Sequence, residues 1–314
     1  MPKLYIALAT YNGEKYLPQM LDSLLQQTKP ADKVIAVDDG STDGTVAILE
    51  SYKDRLPLDI HPQKENRGHR AAFGLCLEFV QKEAAPNDYI ALADQDDIWL
   101  PKKLEILGKN IGNADLIFGD AELINATGEK IADSWRTCGK ILPHLPTKAL
   151  LTGFTNVTGC LTLFKTSLLQ RVLPFPDGIP VHDQWITFCA SIGNGCISTP
   201  EKVVKYRIHE NNSIGLGERY RWSDRVKLNL KWIQTIMRSK VFQDLRPEEK
   251  VFAVEYEHYI SSRFIKNFQM KAIPWAWKNH AALYPQCSSF KALLSRALFA
   301  AVGVKFAQRF FERT

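Results

Sequence analysis

The stretch Tyr89-Ile90-Ala91-Leu92-Ala93-Asp94-Gln95-Asp96-Asp97-Ile98-Trp99 carries three carboxylates at the end of an apolar run. The run begins just after Asn87-Asp88, which predicts a buried strand. Like charges crowded at the end of such a strand repel one another unless a cation is shared among them. Oxygen ligands favour a hard ion, Mg²⁺ or Mn²⁺. An isolated Asp-x-Asp is more often a solvated turn, so the reading depends on what the rest of the chain places beside it.

Upstream, apolar β-rich runs alternate with helix-like stretches. Leu4 to Ala9 precedes Lys15 to Gln27, Val34 to Val37 precedes Thr45 to Tyr52, Leu58 to His61 precedes Ala71 to Lys82, and Tyr89 to Ala93 precedes Lys102 to Lys109. Repeated strand-helix units of this length predict an α/β fold with a parallel sheet, helices on both faces, and a ligand crevice at the carboxyl ends of the strands. Polar motifs fall at those ends: Thr10-Tyr11-Asn12, Asp38-Asp39-Gly40-Ser41, and Asp94 to Asp97. From Leu116 to Lys165 the pattern is mixed, with a strand expected at Leu161 to Phe164. The polar stretch holding Trp135, Pro143 and Pro146 reads as a substrate-facing loop. Past Gly217 the chain turns helical, aromatic and basic, so a boundary is expected near Gly215 to Gly217, giving domains 1–217 and 218–314.

The net charge of +6 over 314 residues is unevenly spread. Residues 1–218 hold 22 Lys and Arg against 27 Asp and Glu, and residues 219–314 hold 18 against 7, a division of −5 and +11. The six cysteines, Cys76, Cys138, Cys160, Cys189, Cys196 and Cys287, form no Cys-x-x-Cys pair. That argues against a zinc site and a disulfide framework and fits a reducing cytoplasm. Neither a signal peptide nor a bilayer-spanning run is expected.

Asp38-Asp39-Gly40-Ser41-Thr42-Asp43-Gly44 follows a strand. Its spacing through Glu50 nearly reproduces a calcium loop, but such a loop needs a preceding helix, and Lys33 to Val37 is β-branched. One of its carboxylates is instead expected to accept a hydrogen bond from a nucleotide base, while Ser41, Thr42 or Asp43 caps the next helix. Glu65-Asn66-Arg67-Gly68-His69-Arg70 places a glycine and basic side chains at a helix start, which favours anions. In His182-Asp183-Gln184-Trp185, Asp183 is either a helix cap or a general base. Tyr206-Arg207-Ile208-His209-Glu210-Asn211-Asn212 ends a strand from Lys202 to Ile208, with Arg207 and His209 on one side of the extended chain for phosphate or metal contacts.

Taken together, these motifs resemble glycosyltransferase family 2, the inverting nucleotide-sugar enzymes of GT-A fold, over roughly residues 1–215. The pieces occur in the family's order: Thr10-Tyr11-Asn12; Asp38 to Asp43; Asn66-Arg67-Gly68; Asp94 to Pro101; and His182 to Trp185. The last of these, with Asn156-Val157-Thr158-Gly159-Cys160 and Tyr206 to His209, is most similar to the rhamnosyltransferase-like branch acting on bacterial surface polysaccharides. The resemblance implies a Rossmann-like, mostly parallel sheet followed by a C-terminal helical region. It assigns donor-nucleotide contacts to Thr10, Tyr11, Asn12, Asp38, Asp39, Asn66, Gly68, Arg70, Asp94, Gln95 and Arg207. Sugar or acceptor contacts fall to Trp99, Thr158, Gly159, Cys160 and His182, the Mn²⁺ or Mg²⁺ ligands are Asp96 and His209, and Asp183 is the catalytic base. The expected donor is dTDP-rhamnose or a UDP-hexose, and the acceptor a hydroxyl of a lipid-linked or growing surface glycan. His69-Arg70 and Gln184 depart from the pattern and bear on donor and acceptor identity.

The basic tail has three candidate partners: nucleic acid, a protein, or an anionic membrane. No nucleic-acid reader motif is evident. Phe290, Leu293, Leu294, Ala297, Ala301 and Val304 recur at helical spacing, which favours a helix lying on the inner face of a bacterial plasma membrane; the alternative is helices that pack on the catalytic domain with solvated basic faces. Two rival functions stand beside the leading one. A sugar-nucleotide nucleotidyltransferase needs a glycine-rich basic loop after the first strand, and Thr10 to Tyr16 has none. A non-catalytic carbohydrate or calcium-binding module leaves unexplained why Asp94, Asp96 and Asp183 all sit in positions that resemble the family's.

Overall fold

The computed structural model describes residues 2–135, 142–210, 221–287 and 289–310, with no side chain described at 310. The boundary expected at Gly215 to Gly217 lies outside these residues, as do Cys138, Asn211, Asn212 and Tyr220. Two compact units emerge. One comprises Met1–His144, Val157–Phe175 and Val181–Leu216, the other Leu145–Asn156, Pro176–Pro180 and Gly217–Thr314.

The first unit is built on a nine-stranded sheet. Its first four strands are β1 (Leu4–Thr10), β2 (Lys33–Asp38), β3 (Leu58–Pro62) and β4 (Tyr89–Asp94), lying in the order β3-β2-β1-β4, all parallel. Leu4, Ile6 and Leu8 on β1 and Val34 to Val37 on β2 are all buried, as continuous apolar strands must be when both faces of a sheet are covered. The intervening helices are α1 (Leu17–Leu25), α2 (Thr45–Ser51) and α3 (His69–Glu83), and α3 packs across β1 and β2. This half matches the expected strand-helix series element by element. The strand Lys33–Asp38 also removes the calcium-loop reading, since no helix precedes Asp39.

Beyond β4 the sheet becomes mixed. β5 (Ile98–Trp99), β6 (Leu116–Ile124), β7 (Lys130–Ala132), β8 (Thr162–Lys165) and β9 (Cys196–Arg207) complete it. β8 runs antiparallel to β4 and β6, β9 is parallel to β6 but antiparallel to β5, and β7 pairs only with β6. The helix α4 (Lys103–Asn110) packs against β6, β8 and β9. Strand register then sets the site. Thr10 lies opposite Asp38 and Ala9 opposite Asp94, so the carboxyl ends of β1, β2 and β4 are level. Because β1 is flanked by β2 on one side and β4 on the other, successive crossovers leave in opposite directions there and open a crevice.

The second unit is helical. α5 (Thr147–Leu151) is embraced by α8 (Trp222–Arg238) and α9 (Pro247–Ile265). The Trp232 indole N–H donates to the Leu150 carbonyl at 2.8 Å and the Tyr256 hydroxyl to the Thr152 carbonyl at 2.9 Å. These buried bonds are why residues 145–156 belong with the helices and not with the sheet. α9 starts on Pro247 and closes a reciprocal cap between Arg246 and Glu249. The short helices α10 (Ala272–Lys278) and α11 (His280–Leu283) precede α12 (Phe290–Phe299) and α13 (Val304–Phe310). In the first unit, α6 (Leu169–Val172) and α7 (His182–Ile192) lie between β8 and β9.

Candidate active site

The ends of β1 and β2 are welded to each other by side chains. The Asp38 carboxylate, 1% exposed, accepts from the Thr10 hydroxyl at 2.8 Å, the Ser41 N–H at 2.9 Å and the Ser41 hydroxyl at 2.5 Å. The N–H of Asn12 donates to Ser41 Oγ at 2.8 Å, and its Oδ1 accepts from the Thr42 N–H at 2.9 Å. Asn12 sits at φ +45°, a left-handed conformation that Asn tolerates better than most residues. Asp39 accepts from the N–H groups of Arg67, at 3.0 Å, and Gly68, at 2.7 Å, and so holds the Asn66-Arg67-Gly68 turn against the strand end. Two expectations change here. Asp38 and Thr10 are turned into each other and are withdrawn as nucleotide contacts, because their polar atoms are already paired and buried. Asp39 is also buried, but its Oδ1 accepts a single N–H among these bonds and keeps a lone pair for a base.

Across the crevice, Gln95 pairs reciprocally with the Tyr11 backbone. Its Oε1 accepts from the Tyr11 N–H at 2.8 Å and its amide donates to the Tyr11 carbonyl at 2.9 Å. This fixes the β1 loop to the β4 loop and leaves the Tyr11 ring exposed at the rim. Gly13 makes the approach feasible, since a Cβ there would fall 2.3 Å from Gln95 Oε1.

The acidic strand end divides its carboxylates among three environments. Asp96 Oδ2 lies 2.8 Å from His209 Nε2, with the two side chains 17% and 12% exposed. Asp97 is buried. Its Oδ1 accepts from the Arg207 N–H at 3.0 Å and, among the described residues, its Oδ2 has no hydrogen-bond partner. Burial, then the charges of Asp96 and Asp94, push the Asp97 carboxyl well above the usual range. Asp94 is pushed up to about 7 by desolvation and by the charges of Asp96 and Asp183, with Lys103 opposing.

Nothing in the sequence singles out Lys103, which reads there as one more lysine at a helix start. It is fully buried, its ammonium donates to the Cys160 carbonyl at 2.5 Å, and it lies 3.2 Å from the centre of the Trp99 ring. Burial pulls it down to about 7 against the opposing charges of Asp97 and Asp94. It is the basic group already present beneath the acidic end.

Three assignments are corrected by burial. Arg207 is 1% exposed, and its guanidinium donates to the carbonyls of Asp96, Asn125 and Ala126 and to Gln19 Oε1 while lying over the Tyr16 ring at 4.6 Å. It braces the loop behind Asp96 instead of facing a donor. Trp99 is 1% exposed beneath Lys103, and the Cys160 side chain is fully buried, so neither side chain can border a sugar.

Asp94, Asp97 and Cys160 also bring ligand atoms within 4.8 Å of one another. They make a poor metal centre. Burial and the two neighbouring carboxylates hold the thiol well above its ordinary range, and a thiol must be deprotonated to bind. Asp96 and His209 fit better: a carboxylate oxygen and an imidazole nitrogen lie 2.8 Å apart at the strand end, where the carboxylate suits either Mn²⁺ or Mg²⁺ and the nitrogen donor favours the softer Mn²⁺.

Asp183 stands in the first turn of α7. Its Oδ2 accepts from the Gly159 N–H at 3.0 Å and its Oδ1 from the Gln184 N–H at 2.6 Å. Burial nevertheless pushes the carboxyl up to about 6, against those donors. Asp183 and Asp94 are close enough for the charge of one to raise the proton affinity of the other. The base expected from one part of the sequence and the acidic end expected from another therefore lie within electrostatic reach of each other. The turn Thr158-Gly159-Cys160 lies between them, with Gly159 N–H on Asp183 and Cys160 O on Lys103.

His182 is 6% exposed, stacked on Phe73 with centroids 4.0 Å apart, and among the described residues neither ring nitrogen has a hydrogen-bond partner. Burial and the nearby His69 pull it down to about 3, so it is neutral. It backs Gly159, where a Cβ would approach His182 Nε2 to 3.2 Å, and does not itself open onto the crevice. Arg70 is half-buried in the first turn of α3.

The family model described as glycosyl transferase family 2 matches residues 5–173, more than half of the chain. The chain belongs to glycosyl transferase family 2. An uncharacterized glycosyltransferase of Nostoc, alr2836, is 26% identical over 223 residues, 67% of this chain and 66% of the relative. The putative glycosyltransferase EpsE of Bacillus subtilis is 35% identical over 108 residues, 33% of this chain and 36% of EpsE. An uncharacterized glycosyltransferase of Rickettsia bellii is 29% identical over 197 residues, 59% of this chain and 27% of its own length. The family 2 chain therefore spans just under two thirds of the Nostoc protein and about a quarter of the Rickettsia one.

Among solved structures, Staphylococcus aureus TarS 1-349 in complex with UDP-GlcNAc superposes with a TM-score of 0.60 at 19% identity, covering 99% of this chain and 82% of TarS. The mannosyltransferase PcManGT of Pyrobaculum calidifontis, in complex with GDP-Man and Mn²⁺, gives 0.58 at 19% identity, covering 100% of this chain and 88% of its own. At such identity the likeness establishes the GT-A fold. It does not single out the rhamnosyltransferase-like branch.

Proposed function

We propose that this family 2 chain transfers a sugar from a nucleoside-diphosphate donor to an acceptor hydroxyl in one displacement, with inversion at the anomeric carbon. The observation that carries the proposal is the placement of Asp183, raised to about 6, within electrostatic reach of the acidic strand end. A carboxylate with that affinity is mostly ionised near neutral pH and can still accept a proton as an acceptor oxygen attacks.

The donor's nucleoside lies against Tyr11, Asn12, Asp39, Asn66, Gly68, Asp94 and Gln95, with Arg70 toward the diphosphate at the start of α3. Asp96 and His209 hold Mn²⁺ or Mg²⁺, which when bound neutralises negative charge gathering on the departing diphosphate. Thr158 and Gly159 border the sugar and acceptor, and the Gly159 N–H keeps Asp183 aimed at the attacking hydroxyl. The complexes of TarS with UDP-GlcNAc and of PcManGT with GDP-Man and Mn²⁺ support a nucleotide-sugar donor and a metal in this fold.

The motifs at Asn156 to Cys160, His182 to Trp185 and Tyr206 to His209 favour dTDP-rhamnose or a UDP-hexose as donor and a lipid-linked or growing bacterial surface glycan as acceptor. Such an acceptor places the protein in the cytoplasm, peripheral on the inner face of the plasma membrane. The test is Asp183→Asn. Donor binding by calorimetry should be preserved within a few-fold while transfer falls by roughly 10²–10⁴-fold. Transfer near that of the unaltered protein would remove Asp183 as the base.

A further inference from the structure

The second unit carries an apolar surface that folding leaves uncovered. Seven of the ten residues of α12 are apolar, with Lys291, Ser295 and Arg296 between them, and an apolar arc that wide is normally covered. Here it is covered only in part. Ala297 and Ala300, toward its C-terminal end, are each 1% exposed, whereas Phe290, Leu294 and Leu298, at i, i+4 and i+8, are 69%, 43% and 52% exposed and form a stripe beside them. This corrects the stripe expected from the sequence. Ala297, Ala301 and Val304 are buried within the unit, and the outward stripe runs through Leu298 instead. Trp277 of α10, 39% exposed, extends it, its ring meeting that of Phe290 edge-on at 5.7 Å and 82°.

Charge identifies the occupant. Between Glu257 and Glu312 the sequence contains no carboxylate side chain and eight Lys and Arg: Arg263, Lys266, Lys271, Lys278, Lys291, Arg296, Lys305 and Arg309. Of these, Lys278 and Lys291 are exposed next to the stripe in sequence, each one residue from a member of it. A polyanion such as nucleic acid would meet the lysines but gain nothing from Phe290, Leu294 and Leu298. A neutral apolar partner would strand the lysines. An anionic bilayer satisfies both, with apolar side chains entering the acyl boundary and ammonium groups at the headgroups. Among the described residues no helix is long and apolar enough to cross a membrane, so the contact lies along the surface.

We infer that Trp277, Phe290, Leu294 and Leu298, flanked by Lys278 and Lys291, form a docking face for an anionic membrane surface. The inference rests on the proposed reading only in that it gives the peripheral attachment its residues. Vesicle binding needs neither donor nor catalysis, so either reading can fail alone.

The experiment is sedimentation of the full chain with vesicles of equimolar phosphatidylcholine and phosphatidylglycerol, with pure phosphatidylcholine as control. Partition onto anionic vesicles should exceed that onto neutral ones and weaken in high salt. Leu294→Ser with Leu298→Ser should lower it by about tenfold or more. Lys278→Glu with Lys291→Glu should also lower it by about tenfold or more. Both pairs are at the surface, and Mn²⁺-dependent donor hydrolysis should be unchanged in each. Equal partition of the unaltered protein and both variants would overturn the inference, as would equal binding to neutral and anionic vesicles. So would a dimer in solution that the leucine variant converts to monomer without any change in vesicle binding, because a second copy would then cover the face.

Discussion

Two strands of the same sheet end in paired or clustered carboxylates, and they meet opposite fates. At the end of β2, Asp38 and Asp39 are supplied with donors: two hydroxyls and one N–H for Asp38, and two N–H groups for Asp39. At the end of β4 the pairing differs. Asp97 Oδ1 accepts from the Arg207 N–H while, among the described residues, its Oδ2 has no hydrogen-bond partner, and Asp96 Oδ2 meets a histidine nitrogen. Burial and mutual repulsion raise the proton affinity of Asp94 and Asp97. Acidity at a strand end therefore says little by itself. A cluster capped by hydroxyl and N–H groups builds architecture, whereas buried carboxylates that repel one another are the ones proposed to bind a cation.

The largest effect expected from this contrast is on Asp96. Asp96→Ala should lower metal-dependent transfer by about 10³-fold, since several kcal/mol of transition-state charge stabilisation depend on the metal, and it should change thermal stability little, because relief of like-charge repulsion offsets the lost hydrogen bond to His209. Asp38→Ala should do the reverse. Leaving the Thr10 hydroxyl and Ser41 N–H unpaired should cost about 2–3 kcal/mol and lower the melting temperature by roughly 5 °C, while Mn²⁺ affinity stays unchanged. Loss of stability in Asp96→Ala, or of metal affinity in Asp38→Ala, would erase the distinction between the two strand ends.

A smaller effect is expected at Lys103. Asp94 is raised to about 7, so it gains a proton as pH falls through that value, and Mn²⁺ affinity titrated against pH should decline on the acidic side. The Lys103 charge holds Asp94 down, so in Lys103→Met the decline should begin about one pH unit higher, roughly 1.4 kcal/mol per group. An unmoved profile would mean that the buried ammonium does not govern the cluster. The smallest effect belongs to Gly13→Ala, whose Cβ would displace Gln95 from the Tyr11 backbone. Donor KM should rise by about a few-fold with kcat little changed, because uniform binding is lost without loss of transition-state contacts.

Much of the sheet and part of the site are legible in the sequence. Apolar runs bounded by turn residues mark β1 to β4 and the helices after them, because local periodicity and strand burial agree there. The motif order also draws Asp94, Asp96, Asp183 and His209 toward one place. Burial of long polar side chains is not legible in the same way. Arg207 ends a strand as an anion-binding arginine would, yet backbone carbonyls of distant residues enclose it. Lys103 opens a helix as a solvated lysine would, yet β5 pairs with β9 immediately before it, and the ammonium sits beneath Cys160. The antiparallel entry of β8 beside β4 is hidden for a related reason, since a four-residue strand carries no sign of its partner. In α12 the sequence shows an apolar helix, and only packing tells which side of it faces outward.

Asp96 and His209 are proposed to hold a divalent cation at the acidic end of β4. Electron paramagnetic resonance of Mn²⁺ titrated into the protein with UDP tests this placement, comparing the unaltered chain with Asp96→Asn, His209→Ala and, as control, Asp38→Asn. Bound Mn²⁺ should be lost or at least about tenfold weaker in the first two variants and retained in the third. Equal Mn²⁺ binding by all four proteins would contradict it.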